Sequence, residues 1–148
     1  MKLFYFALKI FSIFVIILCI NLNSGCKSPE EYEPPPDSLI PPPEAPELIR
    51  PPDDTSYWFG QAGQSWDFVV VVFEWTSVSD AQFYELEIAT TPNFGTSVIY
   101  DIKVSSTKTT VLFYNPVNCY WHVRAESNQW TWFTDWSEIR YLRIRWPI

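Results

Sequence analysis

The chain holds few residues able to do acid–base, nucleophilic or metal chemistry. His122 is its single histidine, and its cysteines are Cys19, Cys26 and Cys119. No Cys/His set has metal-ligand spacing. With only four glycines there is no Gly-rich loop to cradle a phosphate. Carboxylates are numerous, but none is paired in a recognisable acid–base pattern. Cys119 sits beside Tyr120-Trp121 on an alternating run, where a small core residue is expected rather than a nucleophile. This inventory points away from an enzyme and calls for no metal and no cofactor. Cys26 is different. It follows Ser24-Gly25, two small residues, at the end of an apolar run.

The remaining chemistry is aromatic. Two clusters are candidate ligand-binding sites: Trp130, Trp132 and Phe133 near one turn region, and Tyr57, Trp58 and Phe59 near another. Exposed Trp and Tyr rings anchor protein interfaces, and they also stack on sugars. The same rings can instead cap the ends of a small domain. Asn128, Gln129 and Asp135 lie close to the first cluster and offer polar groups to a sugar.

The elements that position these residues begin at the N-terminus. Lys2 and Lys9 flank an apolar stretch that runs from Ile10 to Ile20, broken only by Ser12. Charged, apolar and then small residues follow the order of a secretory leader. Read as an uncleaved membrane helix, Leu3 to Ile20 would carry Lys9 near its middle, which is costly in a bilayer. Asn23-Ser24-Gly25-Cys26 resembles the end of a bacterial lipoprotein signal peptide. The resemblance departs from the usual pattern at Asn23, where Leu is common. It implies a leader over residues 1–25, a lipid on Cys26 and a place in the cell envelope. Lys27 favours outer-membrane sorting under the usual Gram-negative rule. With Cys19 removed and Cys26 acylated, Cys119 has no disulfide partner.

Residues 26–43 read as a tether. Ten of the 13 prolines fall between Pro29 and Pro52. Proline locks φ and lacks an N–H, so this stretch is expected to be an extended spacer. Net charge is +2 in the leader, −3 in the spacer and −6 over residues 44–148. An acidic domain without a basic run is a poor ligand for nucleic acid or anionic lipid.

Residues 44–148 have the length of one domain with one core. Helical periodicity is absent. Short β-branched and aromatic runs recur between turn signals. Phe68–Trp75, Ala81–Ala89, Val98–Val104, Thr109–Tyr114, Cys119–Ala125 and Ile139–Trp146 are expected strands, with a first strand near Glu47–Arg50. About seven strands predict an all-β, two-sheet sandwich. Trp75, Tyr84, Leu86, Trp121, Val123 and Leu142 are expected in its core. Val70 and Val72 point the other way and need cover, which either the Tyr57–Phe59 segment or a partner supplies.

A resemblance spans nearly all of this region. Pro46-Glu47-Leu48-Ile49-Arg50-Pro51-Pro52-Asp53, Phe73-Glu74-Trp75, Ala81 to Ala89, Tyr120-Trp121-His122-Val123-Arg124-Ala125 and Trp136-Ser137-Glu138 occur in order. Together they resemble a bacterial fibronectin type III-like module, an immunoglobulin-like β-sandwich. Cys119 stands where that family often has a corner tyrosine, and His122 where it often has Arg. The resemblance implies a cation–π contact between Trp136 and Arg124. It also implies that the two aromatic clusters lie at opposite ends. The function it implies is non-catalytic: protein interaction, adhesion or scaffolding from the envelope. A carbohydrate-binding module built on Trp130 and Trp132 is the alternative.

Overall fold

The structure, a computed structural model, describes residues 39–148. The leader, Cys26 and the tether up to Ser38 lie outside the described residues. The described residues form one compact unit, which starts before the expected boundary at Glu44. Ile40 is the reason. Its N–H donates to the Gln129 carbonyl at 3.0 Å, and its carbonyl accepts from the Thr131 N–H at 3.0 Å. Leu39–Pro43, expected in the spacer, thus belong to the folded unit.

Eight strands follow in chain order: β1 (Leu48–Arg50), β2 (Thr55–Trp58), β3 (Val69–Trp75), β4 (Phe83–Ala89), β5 (Val98–Val104), β6 (Lys108–Phe113), β7 (Val117–Glu126) and β8 (Arg140–Arg145). They form a three-stranded sheet in the order β1-β3-β6 and a five-stranded sheet in the order β2-β8-β7-β4-β5. This is an all-β, immunoglobulin-like and fibronectin type III-like sandwich. All pairings are antiparallel except β2 with β8, which is parallel from Thr55↔Leu142 to Trp58↔Arg145.

The period of two along each strand builds the core. β3 buries Val69, Val71, Phe73 and Trp75 and turns Val70, Val72 and Glu74 outward. β4 buries Tyr84, Leu86 and Ile88, and β7 buries Cys119, Trp121, Val123 and Ala125. Leu142 and Ile144 come from β8. The two inner faces meet ring on ring. Phe73 packs edge-on against Trp121 at 4.9 Å, and Trp75 lies 5.6 Å from Tyr84. The Tyr84 hydroxyl accepts from the Val78 N–H at 3.0 Å, so its one polar atom is satisfied.

β2 was not expected as a strand. Its four residues are all half-buried, so they show no alternation to read. The first strand crosses from one sheet to the other at Pro51-Pro52-Asp53-Asp54, and the Arg50–Pro51 peptide is cis. Asp53 Oδ1 accepts from the Tyr141 N–H at 2.7 Å, and the Asp54 N–H donates to the Tyr141 carbonyl at 2.9 Å. Those bonds splice β2 onto β8. Tyr57 and Trp58 therefore join the five-stranded sheet and do not cover Val70 and Val72. The edge of β3 is closed by Gln64 instead. Its side-chain amide accepts from the Val70 N–H at 2.6 Å and donates to the Val70 carbonyl at 3.0 Å, as a neighbouring strand would.

Trp75 is fully buried between the sheets. Trp75→Ala is expected to destabilise the fold by about 3–5 kcal/mol, the range for deleting a large buried ring. Denaturant unfolding measures this; a midpoint unchanged from wild type removes Trp75 from the core.

Candidate functional site

β7 is the central strand of the larger sheet, and its outer face carries the only cluster of reactive side chains among the described residues. β8 pairs with β7 only from Val117 to Trp121. Beyond that point the edge of β7 is open, and the segment after the turn between β7 and β8, the F–G turn of the sandwich, closes it. The Thr134 N–H donates to the Ala125 carbonyl at 3.0 Å, and the Ser137 N–H to the Val123 carbonyl at 2.8 Å. In return the Ala125 N–H donates to Thr134 Oγ1 at 2.9 Å, and the Val123 N–H to Ser137 Oγ at 3.0 Å. Two hydroxyls stand in for two strand carbonyls. Each hydroxyl passes its own proton on, to the carbonyls of Asp135 and Glu138, both at 2.9 Å.

That clamp lays Phe133 and Trp136 across β7. Phe94 reaches over from the turn Pro92-Asn93-Phe94-Gly95, with φ +53°. The result is a stack of five flat groups. Phe94 lies on His122 at 3.6 Å and 8°, and His122 lies on Trp136 at 3.7 Å and 7°. The Arg124 guanidinium sits 4.4 Å from the Trp136 ring centre and 3.8 Å from that of Phe133. The cation–π contact implied by the family resemblance is present, and Phe133 extends it.

Carboxylates from β4 and β5 face this stack. Arg124 donates to Glu85 from Nε at 2.8 Å, and His122 Nε2 lies 3.0 Å from Glu87 Oε2. Carboxylate oxygens of Glu85, Glu87 and Asp101 lie within 4.8 Å of one another, the distance range of a cation site. Glu85 is charge-paired with Arg124, while Glu87 is held by its hydrogen bond to His122. Burial between the two rings lowers the His122 pKa, and the Arg124 charge acts in the same direction; the Glu87 hydrogen bond opposes both. With 6% of its surface exposed and both ring faces covered, His122 has no path to a substrate. Burial pushes the Cys119 thiol up to about 12, which leaves no thiolate at neutral pH.

The aromatic candidates are split by the fold. Trp130 is 4% exposed and belongs to the core, beside the bridge to Ile40. Trp132 is 71% exposed. Phe133 lies half-buried beneath Arg124, with its ring perpendicular to Trp132 at 5.5 Å and 84°. Trp130 and Trp132 therefore do not form the stacking pair that the alternative carbohydrate reading requires. In the second cluster Tyr57 and Trp58 are half-buried in β2, while Phe59 is fully buried. All six expected core residues are buried: Trp75, Tyr84, Leu86, Trp121, Val123 and Leu142. Sequence reasoning missed Trp66 and Trp146, which are exposed. A tryptophan in the turn-rich run Gly60-Gln61-Ala62-Gly63-Gln64-Ser65-Trp66 was a signal for the first of them.

No family model matches the chain, and no curated protein matches it. Solved structures similar to it include a Fn3-like protein from Clostridium thermocellum, 20% identical, covering 72% of this chain and 95% of that one at a TM-score of 0.43. The fn3 domain of the human collagen alpha-1(XX) chain is 17% identical, with coverage of 85% and 93% and a TM-score of 0.38. A fibronectin type III domain derived from the human KIAA0970 protein is 17% identical, with coverage of 84% and 88% and a TM-score of 0.44.

His122 gives a signed pH dependence. Its folded-state pKa lies below the unfolded value near 6.5. Between the two the unfolded chain binds the extra proton, so this contribution to stability is full above pH 6.5 and is lost as pH falls through that window. Unfolding free energies measured from pH 7.5 down to pH 5 should fall more steeply for wild type than for His122→Gln. Parallel curves contradict the assignment.

Proposed function

We propose that this chain is a non-catalytic envelope lipoprotein, anchored through Cys26, that presents one fibronectin type III-like module for adhesion or scaffolding through protein contact. The observation that carries the reading is how the side chains are engaged. His122, Cys119, Arg124 and the β4 carboxylates are all tied into the sandwich, while Trp132 stands in solvent at the F–G end. A module whose reactive groups are structural and whose large exposed groups are aromatic is suited to binding. The carbohydrate reading based on Trp130 and Trp132 loses support, because a buried Trp130 offers no ring face. The leader, the lipid and the envelope location rest on the sequence around Cys26.

Two experiments test the two halves of this reading. Cys26→Ser should leave a longer, unlipidated precursor, and labelled palmitate should enter the wild-type chain alone. Wild type without label is no lipoprotein. For the module, cross-linking of the full chain in its envelope should yield a discrete protein adduct, which Trp132→Ala reduces about 30-fold, the loss of an interface anchor worth about 2 kcal/mol. The exposed ring adds little to folding, so the thermal midpoint should move by no more than a few degrees. An adduct indifferent to Trp132 refutes its role as the anchor.

A further inference from the structure

We propose that the end of the sandwich opposite the F–G loop is a platform for a neutral polysaccharide, with Trp66 and Trp146 as its stacking rings. The inference rests on the reading of the chain as a binding module and adds a second face and its ligand class.

β2 and β8 run parallel and end together, with Trp58 beside Arg145. β7 begins at the same end, where Val117 pairs with Ile144. The F–G loop and the entry of the chain at Ile40 therefore lie at the other end. Past Trp58 the two strands stay joined, because the Phe59 N–H donates to the Arg145 carbonyl at 3.0 Å. Phe59 goes into the core, and Trp146 lies flat on it, with ring centres 4.0 Å apart and planes at 28°. Gly60 follows, with φ +66°, and its N–H donates to the Ser65 carbonyl at 2.8 Å. That turn brings Trp66 back over Gly60. A Cβ at Gly60 would clash with Cε2, Cζ2 and Cδ2 of the indole, so only glycine lets the ring lie there. The loop is fastened to β3 through both hydrogen bonds of Gln64 with Val70.

Each tryptophan thus has one face supported, by a buried ring or by backbone. Trp66 is nevertheless 64% exposed and Trp146 50% exposed, so the opposite faces are free. The two rings flank consecutive residues, Phe59 and Gly60. Rings held in this way lose little freedom on binding. The π-face of an indole is negative and attracts the positively polarised C–H face of a sugar ring. Sugar hydroxyls need polar partners, and the side chains of Gln61 and Asp67 make no hydrogen bond with other described residues. A protein anchor is a knob that fills a partner pocket. A ring with one face already covered is a plate, which favours a flat ligand. From Phe59 to Trp66 the chain has no charged side chain, Asp67 and Arg145 beside the two rings carry opposite charges, and the net charge of −6 over residues 44–148 repels polyanions. These features select a neutral chain of sugars.

The test is affinity electrophoresis of the detergent-solubilised full chain through native gels. The gels contain hydroxyethylcellulose, laminarin or galactomannan, with carboxymethylcellulose as the anionic control. At least one neutral gel should retard the wild type, and the anionic gel should not. Trp66→Ala should weaken that retardation at least tenfold with an unchanged melt, and Trp132→Ala should migrate as wild type. Trp146→Ala uncovers Phe59, so Trp146→Phe, which keeps the stack on a smaller plate, is run beside it and should show an intermediate loss. No retardation in any neutral gel, or retardation that Trp66→Ala leaves intact, overturns the proposal. Loss of a protein adduct on Trp66→Ala without retardation in any gel also overturns it and leaves the binding-module reading standing. The Trp132 adduct reports on the other end, so either inference can fail alone.

Discussion

The open edge of β7 is the constraint on which the rest of this sandwich depends. β7 has ten residues, yet β8 pairs only with its first half. The peptide groups of Val123 and Ala125 face a place where no strand lies. A buried N–H or carbonyl left without a partner costs about 1–3 kcal/mol, so four such groups could not be tolerated in a domain of marginal stability. Thr134 and Ser137 resolve this with a backbone N–H and a side-chain oxygen each. A strand would have met the same need with backbone alone. The hydroxyl solution lets the chain stay irregular, and irregular chain can place Phe133, Trp136 and Trp130 in three different directions. The F–G segment is therefore a structural clamp that carries one free ring, Trp132.

The stack on the outer face follows from that clamp. Once Trp136 is laid across β7, only a planar group can share the space between Phe94 and Trp136, and His122 fills it. A charged imidazolium there would lie one ring away from Arg124. Burial and that neighbouring charge both favour the neutral form. Arg124 is then the one full cation of the stack, held between Trp136 and Phe133 and bonded to Glu85. A cation–π contact contributes about 0.5–2 kcal/mol, more as it loses water. Phe94 reaches its place with φ +53° and ψ −122°, a backbone region that residues other than glycine rarely adopt and that costs on the order of 1–3 kcal/mol. Covering His122 offsets that cost.

The strands that make the core were legible because they alternate. Val69 to Trp75, Tyr84 to Ile88 and Cys119 to Ala125 each put large apolar residues at every second position, and each lies where the period placed it. β2 was not legible because all four of its residues are half-buried, and a strand shared between edge and core shows no period. Trp130 and Trp132 could not be separated from sequence. They are two residues apart in a turn region, and what divides them is the bridge of Gln129 and Thr131 to Ile40, a contact across 90 positions of chain. The turn-rich run around Trp66 marked it as a loop residue, but where its ring lies was not legible, for a related reason. Its place depends on a glycine six residues earlier that has no side chain to announce a packing role.

What distinguishes the exposed tryptophans from the structural ones is the number of ring faces the fold already covers. Trp136 has both faces taken, one by His122 and one by Arg124, and any ligand would have to displace a partner. Trp75 and Trp121 are enclosed by the two sheets. Trp132 stands perpendicular to Phe133 and is largely exposed, so neither of its ring faces is stacked on another ring. Trp66 and Trp146 lie between these cases, with one face fixed and one face open. A free ring loses rotamer entropy when it docks and so needs a deep partner pocket to compensate. A ring supported from beneath has already lost that freedom during folding and can act on a shallow, flat ligand. On the two proposals above, the ends of the sandwich suit different partners, although both present tryptophan.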